Sequence, residues 1–236
     1  MLRHDLLILT KREQRRVISD SLWQAAEQRF GFLTDGKGGE VFNLPGIVKR
    51  QEPLKSGVWQ AGFSFPWFEN GIRVRLAAEV RSGEIVKKIT PFDAAVRLKD
   101  GKGLQEGVPL RGREEQPWQK KNYFALKELC DLAVSHGLRL GVYGSTALEA
   151  VTGYSYLHGS SDLDMIVETD SFEKAEQFSR AAGEDARRMG VKLDMEVRLS
   201  FLGDVKAEEL LSGQRTIIVR EIDSIFLFDR KRMIKL

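Results

Sequence analysis

The sequence predicts a two-part protein of the α+β and α/β classes, in which a β-rich N-terminal half precedes a mixed sheet with flanking helices. Short segments rich in β-branched and aromatic residues dominate the first half, whereas helical and strand patterns alternate in the second. A segment with many Gly and Pro residues and little periodicity, 99–117, separates the two halves. We therefore expect one domain over 1–110 and another over 117–236.

The first half is expected to contain one helix and several strands. Apolar residues at helical spacing predict a helix over 13–32, and the glycines of 35–39 predict a turn. The segments with strand composition are 47–49, 58–65, 72–80 and 85–89. Lys49, Arg50 and Arg73 lie in or beside these strands, where they would either bind phosphate groups or form a solvated basic face.

The second half is expected to alternate between helices and strands. The predicted helices are 122–135, 146–152, 172–189 and 207–211. The predicted strands are 138–142, 163–167, 191–199, 216–219 and 225–228. Asp170 and Ser171 are good N-terminal caps for the long helix, and Gly190 is a good C-terminal stop.

Composition excludes several classes of protein. The single cysteine, Cys130, excludes an intrachain disulfide and a cysteine-based zinc site, and it predicts a reducing, cytoplasmic location. No apolar run is long enough to span a membrane, and the first nine residues lack a signal-peptide pattern. A net charge of +3 is too small to predict bulk nucleic-acid binding.

Gly144 and Ser145 mark a candidate anion site. They lie where a predicted strand ends and a helix begins, so the free amides of the helix N-terminus and the Ser145 hydroxyl are available to a phosphate. Gly144 has no side chain and allows a phosphate to approach the backbone closely. His158, in the loop before the next strand, would either contact phosphate or be an ordinary exposed or structural histidine.

Acidic residues alternate along the next two predicted strands. Asp162 and Asp164 share one face of the first strand, and Asp194 and Glu196 share one face of the second. Neighbouring carboxylates repel each other unless a cation neutralises them, and Mg²⁺ prefers such oxygen ligands. Three carboxylates on adjacent strands would hold two metal ions, but the pattern leaves open whether Asp194 or Glu196 is the third acid.

The combination of these motifs resembles a known superfamily. Gly144-Ser145 followed by Asp162-Leu163-Asp164 and a later strand acid is similar to the polymerase-β-like nucleotidyltransferases. The closer resemblance is to the phosphoribosyl-dephospho-CoA transferase of malonate decarboxylase, also called its holo-acyl-carrier-protein synthase. It is carried by His4-Asp5-Leu6-Leu7, Val48-Lys49-Arg50, the segment Tyr-Ser-Tyr-Leu-His-Gly-Ser-Ser-Asp-Leu-Asp at 154–164, and Leu193-Asp194-Met195-Glu196.

The resemblance implies a nucleotidyltransferase-type sheet over 117–236 and a specific reaction. Such enzymes move 2′-(5″-phosphoribosyl)-3′-dephospho-CoA from triphosphoribosyl-dephospho-CoA to a serine of the acyl-carrier subunit of malonate decarboxylase, and pyrophosphate leaves. Gly144 and Ser145 would then hold the triphosphate, and Asp162, Asp164 and Asp194 would bind Mg²⁺, with Mn²⁺ as the alternative ion. Asp194 or Glu196 would act as ligand or as base towards the serine hydroxyl.

Two other functions fit the same residues. The first is a nucleotidyltransferase that uses an ordinary nucleoside triphosphate on a small-molecule, protein or RNA acceptor, because a metal site of this kind does not recognise the base or the acceptor. The second is a protein that binds a carrier protein or a nucleotide without turnover.

Overall fold

A computed structural model describes residues 1–30, 44–51, 56–99 and 117–235. In these ranges the chain has a mixed α+β structure with seven α-helices and two sheets. It divides into two compact units, Met1–Ile89 and Thr90–Leu236. Residues 90–99 thus group with the second unit, whereas the sequence-based division placed them in the first. The turn predicted at 35–39 and most of the separating segment lie outside the described residues.

The first unit contains a five-stranded antiparallel sheet in the order β4-β3-β2-β1-β5. Its strands are β1 (Leu6–Leu9), β2 (Gly46–Val48), β3 (Val58–Glu69), β4 (Ile72–Arg81) and β5 (Ile85–Ile89). Strand β1 was not predicted, because its Leu-Leu-Ile-Leu sequence is an apolar run without alternation, as expected of a strand buried on both faces.

The predicted helix 13–32 is wrong as a single element. The structure has two helices, α1 (Lys11–Val17) and α2 (Asp20–Phe30). The chain turns between them at Ile18, which is extended and 1% exposed. The Ser19 carbonyl accepts the Trp23 amide and so begins the second helix. Burial of Ile18 outweighs the continuous helical pattern of the sequence.

The second unit contains a six-stranded sheet in the order β11-β10-β9-β8-β7-β6. Its strands are β6 (Arg139–Val142), β7 (Leu163–Thr169), β8 (Leu193–Leu199), β9 (Gly203–Lys206), β10 (Thr216–Arg220) and β11 (Ile225–Asp229). Its helices are α3 (Pro91–Lys99), α4 (Pro117–Ser135), α5 (Gly144–Thr152), α6 (Phe172–Met189) and α7 (Ala207–Leu211). Helix α3 and strand β9 are the elements here that the sequence analysis did not predict.

The longest helix predicted in the second half, 172–189, is confirmed at both of its ends. Helix α6 covers the predicted residues, the Ser171 side chain accepts the Lys174 amide, and Gly190 ends the helix in the left-handed region at φ +65°. Its buried stripe consists of small residues and one phenylalanine, Phe178. Helix α6 connects β7 to β8, and these two strands are the parallel pair of the sheet.

The parallel register of β7 and β8 positions the acidic residues. Asp164 is opposite Asp194, and Ile166 is opposite Glu196. Paired residues of neighbouring strands point to the same face of a sheet, so Asp164 and Asp194 lie side by side. On the other edge of β8, the antiparallel register with β9 places Lys206 opposite Glu196.

Among the described helices, none combines the length and the continuous apolar sequence that crossing a bilayer requires.

Candidate active site

The first turn of α5 packs directly against Asp164. Strand β6 ends at Val142, Tyr143 is the N-cap residue, and Gly144 begins the helix with φ +57°. A Cβ atom added to Gly144 would lie 2.1 Å from Asp164 Oδ2. Both the positive φ and this close approach require glycine at position 144.

The amide of Ser145 donates a hydrogen bond to the Asp164 carboxylate. The helix N-terminus predicted to bind an anion therefore contacts a carboxylate of the protein itself. This contact confirms that Gly144, Ser145 and Asp164 come together. It also gives Asp164 the favourable field of a helix N-terminus.

Three aspartates form the acidic cluster, which we define as Asp162, Asp164 and Asp194. Asp164 is mostly buried, and its pKa is raised to about 7. Burial is the main cause, and repulsion from Asp194 and Asp162 adds to it, whereas the Ser145 amide and Lys206 act in the opposite direction. The part of this shift that comes from repulsion between the carboxylates is of the kind that a bound cation relieves.

Lys206 contacts both acids of β8, Asp194 and Glu196. Its ammonium group contacts Asp194, lies 3.4 Å from Glu196 Oε1 and donates to the Tyr143 hydroxyl at 3.5 Å. The Asp194 side chain is 38% exposed, whereas that of Glu196 is 3% exposed. Glu196 is thus a buried counter-charge for Lys206, and Asp194 is the strand acid that is open to solvent beside Asp164.

Glu149 connects the helix α5 to the loop that leads to the cluster. Its fully buried carboxylate accepts the Tyr156 and Leu157 amides, both at 2.8 Å, and the Tyr123 hydroxyl at 2.6 Å. Bonds to two backbone amides fix the start of the loop that ends at Asp162. Glu149 therefore helps to hold Asp162 near the first turn of α5 without belonging to the cluster.

The remaining residues predicted for the site lie in different surroundings. Lys49 and Arg50 are exposed in the first unit, just after β2. Arg73 is buried in the same unit, where its guanidinium donates to the Phe65 carbonyl at 3.2 Å and lies 4.6 Å from the Phe68 ring centre. These contacts explain a basic residue at position 73 without a bound phosphate.

Two residues of the loop before β7 remain accessible. His158 is exposed, and its ring nitrogen Nδ1 lies 3.0 Å from the Ser160 hydroxyl. The Asp162 side chain is 50% exposed and lies 3.9 Å from the Lys192 ammonium group. His158 thus belongs to the same loop as Asp162, at its exposed surface.

The sequence analysis did not select Lys206 or Glu149. The alternation Asp204-Val205-Lys206 after β8 was the available signal for Lys206, because a hairpin there places the lysine opposite Glu196. The signal for Glu149 was a single acid within an apolar helical segment, 146–151. A buried acid of this kind needs hydrogen-bond donors from outside its own helix.

Comparisons with known proteins place the matching family model over most of the second unit. The family model described as "Phosphoribosyl-dephospho-CoA transferase MdcG C-terminal domain" matches residues 110–231. A Xanthomonas axonopodis pv. citri protein named phosphoribosyl-dephospho-CoA transferase is 29% identical over 229 residues, which cover 97% of this chain and 94% of the relative. A Bradyrhizobium diazoefficiens protein of the same name is 28% identical over 123 residues, which cover 52% of this chain and 54% of the relative. No solved structure matches the chain significantly.

The family model and the relatives place this chain in a class of transferases. Because the family model covers more than half of the 236 residues, the chain belongs to the phosphoribosyl-dephospho-CoA transferase family.

Asp164→Asn is expected to stabilise the metal-free protein at alkaline pH. Folded Asp164 keeps its proton up to a pKa of about 7, whereas the unfolded chain releases it near the ordinary value of 3.8. The folded state therefore loses stability through this group as pH rises between these values. The free energy of unfolding of the variant, relative to that of the wild type, should therefore rise by about 2–3 kcal/mol between pH 5 and pH 8. Urea unfolding in EDTA at both pH values measures it, and Asp170→Asn, the same change at an exposed position directly after β7, is the control.

Gly144→Ala is expected to destabilise the protein more than a glycine substitution that meets no obstacle. The added methyl group would collide with Asp164, and the positive φ alone costs about 1 kcal/mol. Gly213→Ala is the matched control, because Gly213 has φ +71° and open space around its Cβ position. Urea unfolding should show a loss for Gly144→Ala at least about 1 kcal/mol larger than for the control. Equal losses would contradict the close contact with Asp164.

Glu149→Ala is expected to lower the free energy of unfolding by about 3 kcal/mol, because it leaves two buried amides without an acceptor. Tyr123→Phe, which removes one of the three hydrogen bonds, should cost only about 1 kcal/mol. Urea unfolding at pH 7 measures both values. A loss for Glu149→Ala no larger than for Tyr123→Phe would show that the loop is held by other contacts.

Proposed function

We propose that this protein transfers 2′-(5″-phosphoribosyl)-3′-dephospho-CoA from its triphosphate precursor to a serine hydroxyl of the acyl-carrier subunit of malonate decarboxylase. Pyrophosphate is the leaving group, and the reaction is a metal-assisted nucleotidyl transfer. The names of the relatives supply the dephospho-CoA derivative as the transferred group. The site supplies the chemistry that such a transfer needs.

The observation that carries the proposal is the contact between the first turn of α5 and Asp164, with Asp194 paired beside it. A helix N-terminus favours phosphate oxygens, and paired carboxylates favour divalent cations. The two features meet at one point of the second unit. A substrate that carries a triphosphate and needs a divalent cation satisfies both.

The acidic cluster has the donor set for Mg²⁺. Its three members offer only carboxylate oxygens, and a cation would relieve the repulsion of Asp194 and Asp162 that adds to the effect of burial on the pKa of Asp164. Asp162, Asp164 and Asp194 would hold the ions, two Mg²⁺ in the two-metal arrangement, or Mn²⁺. Bound there, the ions would neutralise the triphosphate and stabilise the charge that develops on the leaving pyrophosphate.

The residues of this chain have separate roles in the transfer. The Ser145 amide is already bonded to Asp164, so the other first-turn amides of α5 and the Ser145 hydroxyl hold the β- and γ-phosphates. The carrier serine oxygen forms a bond to the α-phosphorus, and the bond from that phosphorus to the oxygen bridging to the β-phosphate breaks. The proton of the serine hydroxyl goes to Asp194, the exposed acid next to Asp164.

Glu196 is assigned a supporting role instead of a catalytic one. The Glu196 side chain is buried and compensates the charge of Lys206, and Lys206 in turn contacts Asp194. This choice resolves the two alternatives of the sequence in favour of Asp194 as the third acid. Lys206 orients the Asp194 carboxylate in this scheme.

The proposed transfer predicts a mass increase of the purified malonate decarboxylase carrier subunit. Incubation with this protein, Mg²⁺ and triphosphoribosyl-dephospho-CoA should add one phosphoribosyl-dephospho-CoA group, measured by intact mass spectrometry. EDTA should abolish the increase. Asp164→Asn should lower the rate about a thousandfold, because it removes several kcal/mol of charge stabilisation at the reacting phosphate. Asp170→Asn should react as the wild type does.

Two outcomes would contradict parts of this proposal. Wild-type transfer by Asp164→Asn would reject the metal site. Absence of transfer by the wild type, with a folded carrier and intact precursor, would reject the donor and acceptor. A thermal-shift comparison of ATP, GTP, CTP and UTP with the precursor would then identify an ordinary nucleotide as the donor, because a ligand stabilises the folded protein that binds it.

A further inference from the structure

A cleft of about 690 Å³ lies within the second unit, next to the acidic cluster. Helix α6, helix α7 and the first residues of β8 form its walls, and Asp162, Asp194 and Lys206 are part of its lining. Its volume is within the range of small-molecule sites, which are about 300–1,000 Å³. A group attached to a phosphate at the acidic cluster would therefore have direct access to the cleft.

Gly183 leaves the α6 wall of this cleft open. It lies in the interior of an 18-residue helix, where glycine is about 1 kcal/mol less favourable than alanine. A Cβ atom added there would meet nothing within 4 Å, so packing among the described residues does not require glycine. Neither helix formation nor packing explains Gly183, whereas space for a ligand does.

Ser179 provides a buried polar group on the same wall, one helical turn before Gly183. It is 2% exposed, and its hydroxyl oxygen has no hydrogen-bond partner among the residues that the structure describes. A buried hydroxyl without a partner costs about 1–3 kcal/mol. A polar ligand in the cleft would supply the missing partner when the Ser179 side chain turns its hydroxyl, which is covered in this structure, towards the cleft.

Basic side chains also line the cleft. Arg187 and Lys192 lie at its edge, and both are largely exposed. Glu209, which also lines it, is paired with Arg220 at 2.7 Å, and Glu208 is an exposed acid of the same lining. Arg187 and Lys192 are therefore the groups at this edge that can meet the phosphates of a ligand, while the apolar walls can meet its neutral body.

We propose that this cleft binds the dephospho-CoA portion of the donor. The inference rests on the proposed function, in which the reacting phosphate lies at the acidic cluster. The adenosine and the adjoining part of the pantetheine arm would lie against Gly183, Ala186 and Leu211, with a hydrogen bond to the Ser179 hydroxyl. Arg187 and Lys192 would face the diphosphate that joins the two parts. A concave site of this size suits a small molecule better than a carrier protein, which requires roughly 800 Å² of its own surface for stable binding.

The test uses dephospho-CoA itself, which lacks the triphosphoribosyl group, titrated calorimetrically into the full chain without metal. The wild type should bind it. Gly183→Leu fills the cleft and should weaken binding about tenfold or more, which corresponds to about 1.4 kcal/mol. Glu184→Leu, the same new side chain at the next and exposed position of α6, should bind as the wild type does.

Ser179→Ala separates a ligand role from a structural role. Removing an unpartnered buried hydroxyl should leave the free energy of unfolding unchanged or raise it, while the affinity for dephospho-CoA falls severalfold. In the transfer assay, Gly183→Leu should raise the KM for the donor and leave the KM for the carrier unchanged.

Several results would overturn this proposal. One is that the wild type does not bind dephospho-CoA. Another is that Gly183→Leu and Ser179→Ala both bind it with wild-type affinity. A third is that Gly183→Leu raises the KM for the carrier instead of the KM for the donor. If Gly183→Leu fails to fold, the affinities of Gly183→Ala and Ser179→Ala for dephospho-CoA test the proposal in its place. Transfer that is insensitive to these substitutions would reject the cleft and keep the proposed function. Cleft-dependent binding without transfer to the carrier would keep the cleft and reject the proposed acceptor.

Discussion

The paired position of Asp164 and Asp194 on two parallel strands is the constraint on which the second unit depends. Two carboxylates side by side repel each other, and here a helix N-terminus and a lysine provide partial compensation. The first turn of α5 must approach Asp164 closely to do this, and only glycine at position 144 permits the approach. Burial of Asp164 and the repulsion of its acidic neighbours outweigh this compensation, so the pKa of Asp164 stays raised. In our proposal, divalent cations that accompany the triphosphate relieve the repulsion.

Different elements around this point have different tasks. Helix α5 contributes the amide that meets Asp164, and through Glu149 it also fixes the loop that carries Asp162. Strand β9 contributes Lys206, which contacts the exposed acid and the buried one of β8. Helices α6 and α7 border a cleft whose lining includes two members of the acidic cluster. In our proposal, these elements therefore have separate functions. Helix α5 binds phosphate, strand β9 positions the acids, and helices α6 and α7 recognise the donor.

The sequence was most informative where local chemistry and tertiary structure agree. Helix α6 has its predicted bounds because Ser171 and Gly190 are strong local signals at its two ends. The acids of β7 and β8 share a face as predicted, because a period of two is intrinsic to a strand. The predictions failed where burial was decisive. Ile18 divides the helix predicted over 13–32, and β1 lacks alternation because side chains on both of its faces are buried.

The sequence by itself determined the types of residue at the site, their order and their association with strand and helix ends. It therefore indicated an anion site at Gly144 and Ser145, a set of strand acids, and the family. Only the tertiary structure showed that Asp194 is exposed and Glu196 buried, because this difference depends on strand register and on packing beside Lys206. The tertiary structure likewise showed that Arg73 makes its contacts within the first sheet, and that Ser179 and Gly183 lie in the wall of a cleft. Register, burial and cavities arise from contacts between residues distant in the chain, which periodicity along one segment does not specify.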